Sequence, residues 1–297
     1  MSVLSLSRIT KFYGSVRALK DVSFDVPESC VFGILGPNGS GKTTLLSIIL
    51  DVLKANNGNY LWFGQPGSPP QRQKIGSLLE TPNFYHYLSA IDNLKVTQSI
   101  SGRGTSGDID QVLRKVKLYE RRKSRFKTYS LGMKQRLAIA AALLGDPKVL
   151  VLDEPTNGLD PVGIAEIREL IIELRNSGHT IIMASHLLDE VEKVCTHVAI
   201  LKTGELLTTG EVNEIMQDED VVEVSAADLN SLANILQSVG SRIQINRDLN
   251  SIQLSLPKGT ANLEAINKLC FSNGIVLNHL LLKKKRLETR FFELTNN

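Results

Sequence analysis

The sequence predicts an α/β protein: a domain built on a buried parallel sheet, followed by a smaller α+β domain. Three observations carry this. Short continuous apolar runs, at residues 31–35, 148–153, 181–185 and 198–201, alternate with helical patterns, as expected of strands covered on both faces. A glycine-rich run, Gly36-Pro37-Asn38-Gly39-Ser40-Gly41-Lys42-Thr43-Thr44, joins the first of these strands to an apolar, helix-like stretch. Past a composition shift at residues 217–220 the order becomes strand, helix, strand, strand, helix, strand, which is ferredoxin-like.

Taken in order, residues 1–30 alternate in Val3-Leu4-Ser5-Leu6 and Val22-Ser23-Phe24-Asp25-Val26, predicting a small antiparallel region. The glycine run and its helix extend to about Leu53, and strands are expected at 59–63 and 75–79. Residues 83–145 read as mainly helical, broken by Gly and Ser at 101–107. The remaining buried strands complete a first domain, residues 1–217. In the second, residues 218–297, strands are expected at 221–225, 242–247, 251–256 and 275–283, with helices at 228–239 and 260–273. A short helix from Leu287 to Leu294 closes the chain.

Composition excludes several classes. A net charge of +3 is too small to argue for nucleic acid. The three cysteines, Cys30, Cys195 and Cys270, lack metal or disulfide spacing and fit a reducing cytosol. The N-terminus has no long apolar core, so no signal peptide is expected. No window approaches the ~20 apolar residues that a membrane-crossing helix needs.

The glycine run has the spacing G-x-x-x-x-G-K-[ST] between a strand and a helix, which makes it a phosphate cradle. Glycines let successive N–H groups point inward, and the helix N-terminus adds partial positive charge. Lys42 would meet the β- and γ-phosphates, and the Thr43 hydroxyl would reach Mg²⁺. A second strand, Val149-Leu150-Val151-Leu152, ends in Asp153-Glu154. In such proteins the first carboxylate holds Mg²⁺; the second is of the kind that orients or deprotonates water. A plain strand capped by acidic turn residues would look the same without the upstream loop.

Between these motifs lies Tyr129-Ser130-Leu131-Gly132-Met133-Lys134-Gln135-Arg136-Leu137; after them come Asn157-Gly158-Leu159-Asp160 and then His186, past the 181–185 strand. Tyr13 stands in Lys11-Phe12-Tyr13-Gly14. In this order and spacing the set resembles the ATP-binding subunit of an ABC transporter, over residues 1 to about 217. The resemblance implies a P-loop NTPase domain with an antiparallel β subdomain and a helical subdomain. It implies that Tyr13 stacks on adenine, that Ser130 and Gly132 form the signature, that Asp160 lies in the D-loop, and that His186 is the switch histidine. Ser130 could equally be a plain N-cap, and a lone histidine after a strand is usually an ordinary turn residue.

The sequence departs from the family at three places. Leu131 and Met133 stand in a signature that is usually glycine-richer, Asn157 replaces a serine at the D-loop, and Glu80 replaces a glutamine. Glu80 could reach Mg²⁺ through water but cannot donate as an amide does. These features, with the tail from Arg286 to Thr295, look like the drug- and bacteriocin-export branch. The implied function is ATP-driven dimerisation powering export, with a second copy and a separate multi-span membrane permease as partners, on the cytoplasmic face of the membrane. No nucleic-acid partner is expected: the run Arg121-Arg122-Lys123-Ser124-Arg125-Phe126-Lys127 reads as a solvated face. The alternatives are a soluble ABC ATPase of translation or DNA repair, and a regulatory module that holds ATP without turnover.

Overall fold

The computed structural model describes residues 2–79, 82–216, 219–237, 239, 242–246, 250–257, 259–283 and 291. Glu80, the 217/218 boundary, residues 284–286, and the expected closing helix apart from Phe291 lie outside the described residues. The chain divides into two compact units, Met1–Gly210 and Glu211–Asn297.

The first unit is built on two sheets. A six-stranded sheet runs in the order Glu205–Glu211, His197–Lys202, Val31–Leu35, Thr180–Ser185, Val149–Asp153, Ile75–Leu78. Its strands from His197–Lys202 to Ile75–Leu78 pair in parallel. Every residue of Val31–Leu35, Val149–Asp153 and Thr180–Ser185 is buried, which is why these segments read as unbroken apolar runs. A four-stranded sheet holds Ser2–Tyr13 between Val16–Pro27 and Asn57–Trp62, with antiparallel pairing on both sides.

The helix Lys42–Ile49 lies in the core that these two sheets share. Leu45, Leu46, Ile48 and Ile49 pack with Leu4, Ile9 and Trp62 of one sheet and Ile34, Val151 and Ile182 of the other. Each such side chain contributes about 1.5–3 kcal/mol on burial. The buried Trp62 indole donates to the Ile49 carbonyl at 2.8 Å, satisfying one of the last-turn acceptors that a helix leaves open. A helix clamped this way holds its N-terminus, and so the glycine loop, in a fixed place.

The helical part of this unit comprises Ala90–Ser101, Ser106–Lys115 and Leu131–Leu143. The expected break at 101–107 falls between the first two, where Gly102 closes one helix at positive φ and Thr105 opens the next with a capping box.

The second unit has the predicted order. Its sheet runs Arg242–Asn246, Ser251–Pro257, Glu219–Ala226, Leu277–Lys283, all antiparallel. The central strands are therefore the first and third of four, the ferredoxin-like arrangement. Helices Leu229–Leu236 and Leu263–Ser272 supply Leu232, Leu236, Ile266 and Cys270 to a core with Val222, Val224, Ile252 and Leu254.

Candidate functional site

The loop at 36–41 is shaped by contacts that a side chain would break. A Cβ on Gly36 would stand 2.3 Å from Ser40 Oγ and 2.4 Å from the Leu201 carbonyl. Gly41 caps the helix in the left-handed region, φ 103°, with the Ala18 carbonyl 2.7 Å from where its Cβ would be. The loop is also tied down from outside: the Gly204 amide donates to the Ser40 carbonyl at 3.1 Å, and the Lys20 amide donates to the Gly204 carbonyl at 2.8 Å. Ser40 itself is buried, its hydroxyl without a hydrogen-bond partner among the described residues. The helix it introduces has no acidic residue in its first turn. Its N-terminal partial charge is thus uncompensated by the chain and suited to an anion.

Lys42 begins that helix. It is 6% exposed, and its ammonium group donates to the carbonyls of Gly36 at 2.9 Å and Pro37 at 3.3 Å. Burial pulls its pKa below the ordinary lysine value, against the pull of Glu154 and Asp153. Both carboxylates are therefore close enough to act on it through space. Thr43 is exposed in the first turn and Thr44 half-buried.

Asp153 ends its strand buried. Glu154 follows with φ 47°, an uncommon conformation for a residue with a Cβ. Its amide still joins the sheet by donating to the Ala184 carbonyl at 3.0 Å, and the turn aims its carboxylate back over the loop. One oxygen lies 3.9 Å from Lys42 Nζ; the other is 2.9 Å from His186 Nδ1. His186 is placed by its neighbour: the buried Ser185 hydroxyl accepts from the Leu187 amide at 3.0 Å, which turns the chain at the end of the strand. The structure thus brings together the loop, Lys42, Glu154 and His186 from three adjacent parallel strands and their C-terminal ends.

The other predicted residues sit apart from this cluster. Ser130 caps the helix Leu131–Leu143, its hydroxyl accepting from the Met133 amide at 3.3 Å. Gly132 faces Leu159, and Gly158 faces Leu131, so the signature turn and the 157–160 turn lie against each other. Asp160 caps the helix Pro161–Asn176, accepting from the Gly163 amide at 2.8 Å. Tyr13 is exposed at a hairpin end, with Lys11 Nζ 5.5 Å from its ring centre. Among the described residues no hydrogen bond or ion pair joins Ser130 or Tyr13 to the loop at 36–41. Glu80 lies outside the described residues.

The donors present fit a nucleotide with a hard cation. The cradle has no room for a side chain at Gly36 or Gly41, a desolvated ammonium stands at its mouth, and Asp153 and Thr43 offer hard oxygens of the kind Mg²⁺ takes alongside phosphate. Gly204 and Ser185 escaped sequence reasoning. Each acts through a main-chain or turn contact to a distant segment, and neither carries a periodic or spacing signal.

Comparison with known proteins places these features in a family. The ABC transporter family profile matches residues 19–157. The uncharacterized ABC transporter ATP-binding protein YhcH of Bacillus subtilis (strain 168) is 36% identical over 99% of this chain and 96% of its own length. The bacitracin transport ATP-binding protein BcrA of Bacillus licheniformis is 34% identical over 99% and 97%. The lantibiotic transport ATP-binding protein SrtF of Streptococcus pyogenes is 40% identical over 70% and 91%. Among solved structures, cbiO1 of Clostridium perfringens, part of the ABC transporter complex cbiONQ, aligns with a TM-score of 0.66 at 27% identity, covering 80% of this chain and 96% of that one. The dimeric post-hydrolysis state of the ATP-binding cassette MJ0796, bound to ADP and Pi, aligns with a TM-score of 0.62 at 26% identity, over 70% and 98%.

Proposed function

The chain belongs to the ABC transporter family as an ATP-binding, ATP-hydrolysing subunit, and from that premise we propose that it drives export through a separate membrane-spanning subunit. Relatives over nearly its whole length carry names in bacitracin transport, which supports the export branch. Among the described residues no helix is long and apolar enough to cross a membrane; the transported compound would pass through the partner, with this chain on the cytoplasmic face.

The observation that carries the catalytic reading is the Glu154–His186 contact of 2.9 Å at the mouth of the loop. Glu154 would polarise the attacking water, as a positioned carboxylate can. His186 orients it. If Nδ1–H donates to Glu154, a neutral ring has only an acceptor left at Nε2. Contact with a γ-phosphate oxygen from that nitrogen then requires the protonated ring. Lys42 and the backbone N–H groups of residues 38–44 would bind the phosphates, and Tyr13 would stack on the base. Thr43 and Asp153 would hold Mg²⁺, which supplies charge neutralisation on the phosphates when bound; Glu80 stands where the family's glutamine would contribute to the same ion.

The turn at 130–132 and the turn at 157–160 lie against each other, and among the described residues no hydrogen bond or ion pair joins Ser130 to its own chain's loop at 36–41. This supports a head-to-tail pair in which each copy's signature meets the ATP held by the other. ATP then acts as the differential ligand that favours the closed pair. Residues 218–297 would add to self-association or brace the ATPase core. Deletion of residues 218–297 should leave ATP binding intact and weaken self-association; unchanged sedimentation would argue against that role.

The test is Glu154→Gln. Phosphate release should fall by about 10²–10⁴-fold, while ATP should still bind and produce a stable dimer in sedimentation. Near-normal turnover would remove Glu154 from the chemistry.

A further inference from the structure

The basic run at 121–127 reads in the sequence as a solvated stripe; the structure sets something beside it. Between Arg114 and Lys134 the chain carries nine Lys and Arg residues and one carboxylate, Glu120, although its whole net charge is only +3. The rest of the molecule is therefore net negative. Part of this positive charge is engaged. Lys115 pairs with Asp146 at 3.6 Å and Lys117 with Glu169 at 3.9 Å. The guanidinium groups of Arg114 and Arg122 lie 3.5 and 3.9 Å from the Tyr119 ring centre, and Lys134 lies over Phe126. Arg121, Lys123, Arg125 and Lys127 remain exposed, with no ion pair among the described residues.

The turn that carries these four is bonded to the segment at 84–89. The Phe126 amide donates to the Leu88 carbonyl at 2.9 Å and the Lys127 amide to the His86 carbonyl at 3.0 Å; Ser89 and Arg125 form an antiparallel bridge. Phe84 turns inward onto the buried Phe126, with ring centres 5.2 Å apart, and the exposed His86 lays its ring 5.7 Å from the same side chain. Tyr85 and Tyr87 turn outward, 51% and 68% exposed, their rings 5.9 Å apart. Two exposed tyrosines thus stand beside Arg125 and Lys127 in one surface.

We propose that this surface docks on an anionic phospholipid bilayer. Tyrosine, apolar in body and polar at its tip, suits the headgroup layer. A basic side chain near an anionic membrane adds roughly fivefold to its partition. Single-stranded nucleic acid also uses aromatic and basic residues, but through open ring faces on which bases stack. Here Tyr85 and Tyr87 are tilted by 55° to each other, and the Tyr119 ring is covered by guanidinium groups. The docking needs neither ATP nor its hydrolysis, so it stands apart from the catalytic reading.

The test is co-sedimentation of the full chain with phosphatidylcholine vesicles, with and without phosphatidylglycerol. Binding should require phosphatidylglycerol and be lost at about 0.5 M salt, where screening is nearly complete. Replacing Arg121, Lys123, Arg125 and Lys127 together by Gln should weaken it by roughly several hundredfold. Tyr85→Ser with Tyr87→Ser should weaken it severalfold. Removing equal charge elsewhere, by Lys54→Gln, Lys148→Gln, Lys193→Gln and Lys268→Gln together, should leave most of it. Equal binding to phosphatidylcholine alone, full retention by the first variant, or an equal loss in the last would overturn the proposal. So would tighter binding to a single-stranded oligonucleotide than to the anionic vesicles.

Discussion

Each unit of this molecule holds a glutamate, a lysine and a histidine together, and the two clusters are built in opposite ways. In the first unit Glu154 bonds His186 at 2.9 Å but stays 3.9 Å from Lys42 Nζ, whose hydrogen bonds go to loop carbonyls. In the second, Glu223 takes Lys283 at 2.8 Å, Ser251 at 3.1 Å and His279 at 3.4 Å. Glu154 sits on a turn at positive φ; Glu223 sits mid-strand in the centre of a regular sheet. The first cluster is held by its surroundings and leaves its charges available to a ligand. The second satisfies its own charges and serves the fold. Residue types alone do not separate them; the backbone that carries them does.

The sharpest test of that contrast exchanges the lysines. Lys42→Ala should lower ATP turnover by about 10²–10³-fold, the usual cost of removing one preorganised donor at a reacting centre. Lys283→Ala should leave turnover within about twofold, since its ion pair among the described residues is with Glu223. A steady-state phosphate-release assay measures both, and comparable losses would break the comparison. The histidines repeat the test at smaller amplitude. His186→Ala should cost roughly 10–100-fold by freeing the Glu154 carboxylate, and His279→Ala should register only in thermal unfolding.

Geometry around the loop gives the next effect. Gly36→Ala places a Cβ against the Ser40 side chain and the Leu201 carbonyl, both under 2.5 Å. We expect about 1–3 kcal/mol of lost stability, together with loss of nucleotide binding, read by denaturant unfolding and by fluorescent nucleotide titration. Gly39→Ala meets open space at φ 79° and should cost less. If the two substitutions behave alike, crowding at Gly36 does not set the loop's tolerance.

The contrast also explains what the sequence made legible. The loop at 36–44, the Ser130 cap and the strand ending in Asp153 are local: each follows from a run of neighbouring residues whose spacing implies its geometry. The second unit's topology was legible for the same reason, through alternation on its strands and apolar periodicity on its helices. What stayed hidden depends on residues far apart in the chain. Gly204 bonding Ser40, Phe126 gathering Phe84 and His86, and the Glu154 turn that aims a carboxylate at His186 have no pattern in any short window. The Glu223 cluster is of this kind too, assembled from three strands by their register.

Glu223 supplies the smallest effect and the cleanest sign. The hydrogen bond from Lys283 holds its carboxyl below the ordinary glutamate value; Ser251 and the charges of Lys283 and His279 assist, and burial opposes. A carboxylate whose folded-state pKa is depressed adds stability that is fully present above its unfolded-state value. That stability is lost as pH falls through the folded-state value. The second unit should therefore weaken in acid, below about pH 4.5. Glu223→Gln removes this contribution while keeping the shape of the protonated side chain. Its melting temperature should fall by roughly 4–8 °C at neutral pH, the response of a small domain to a lost interaction of ordinary size, and should converge on the wild type as the pH is lowered. ATP turnover should be unchanged throughout. A melting-temperature gap that stays constant with pH would mean that Glu223 acts through packing and not through its charge, and the two clusters would then differ in more than how their charges are satisfied.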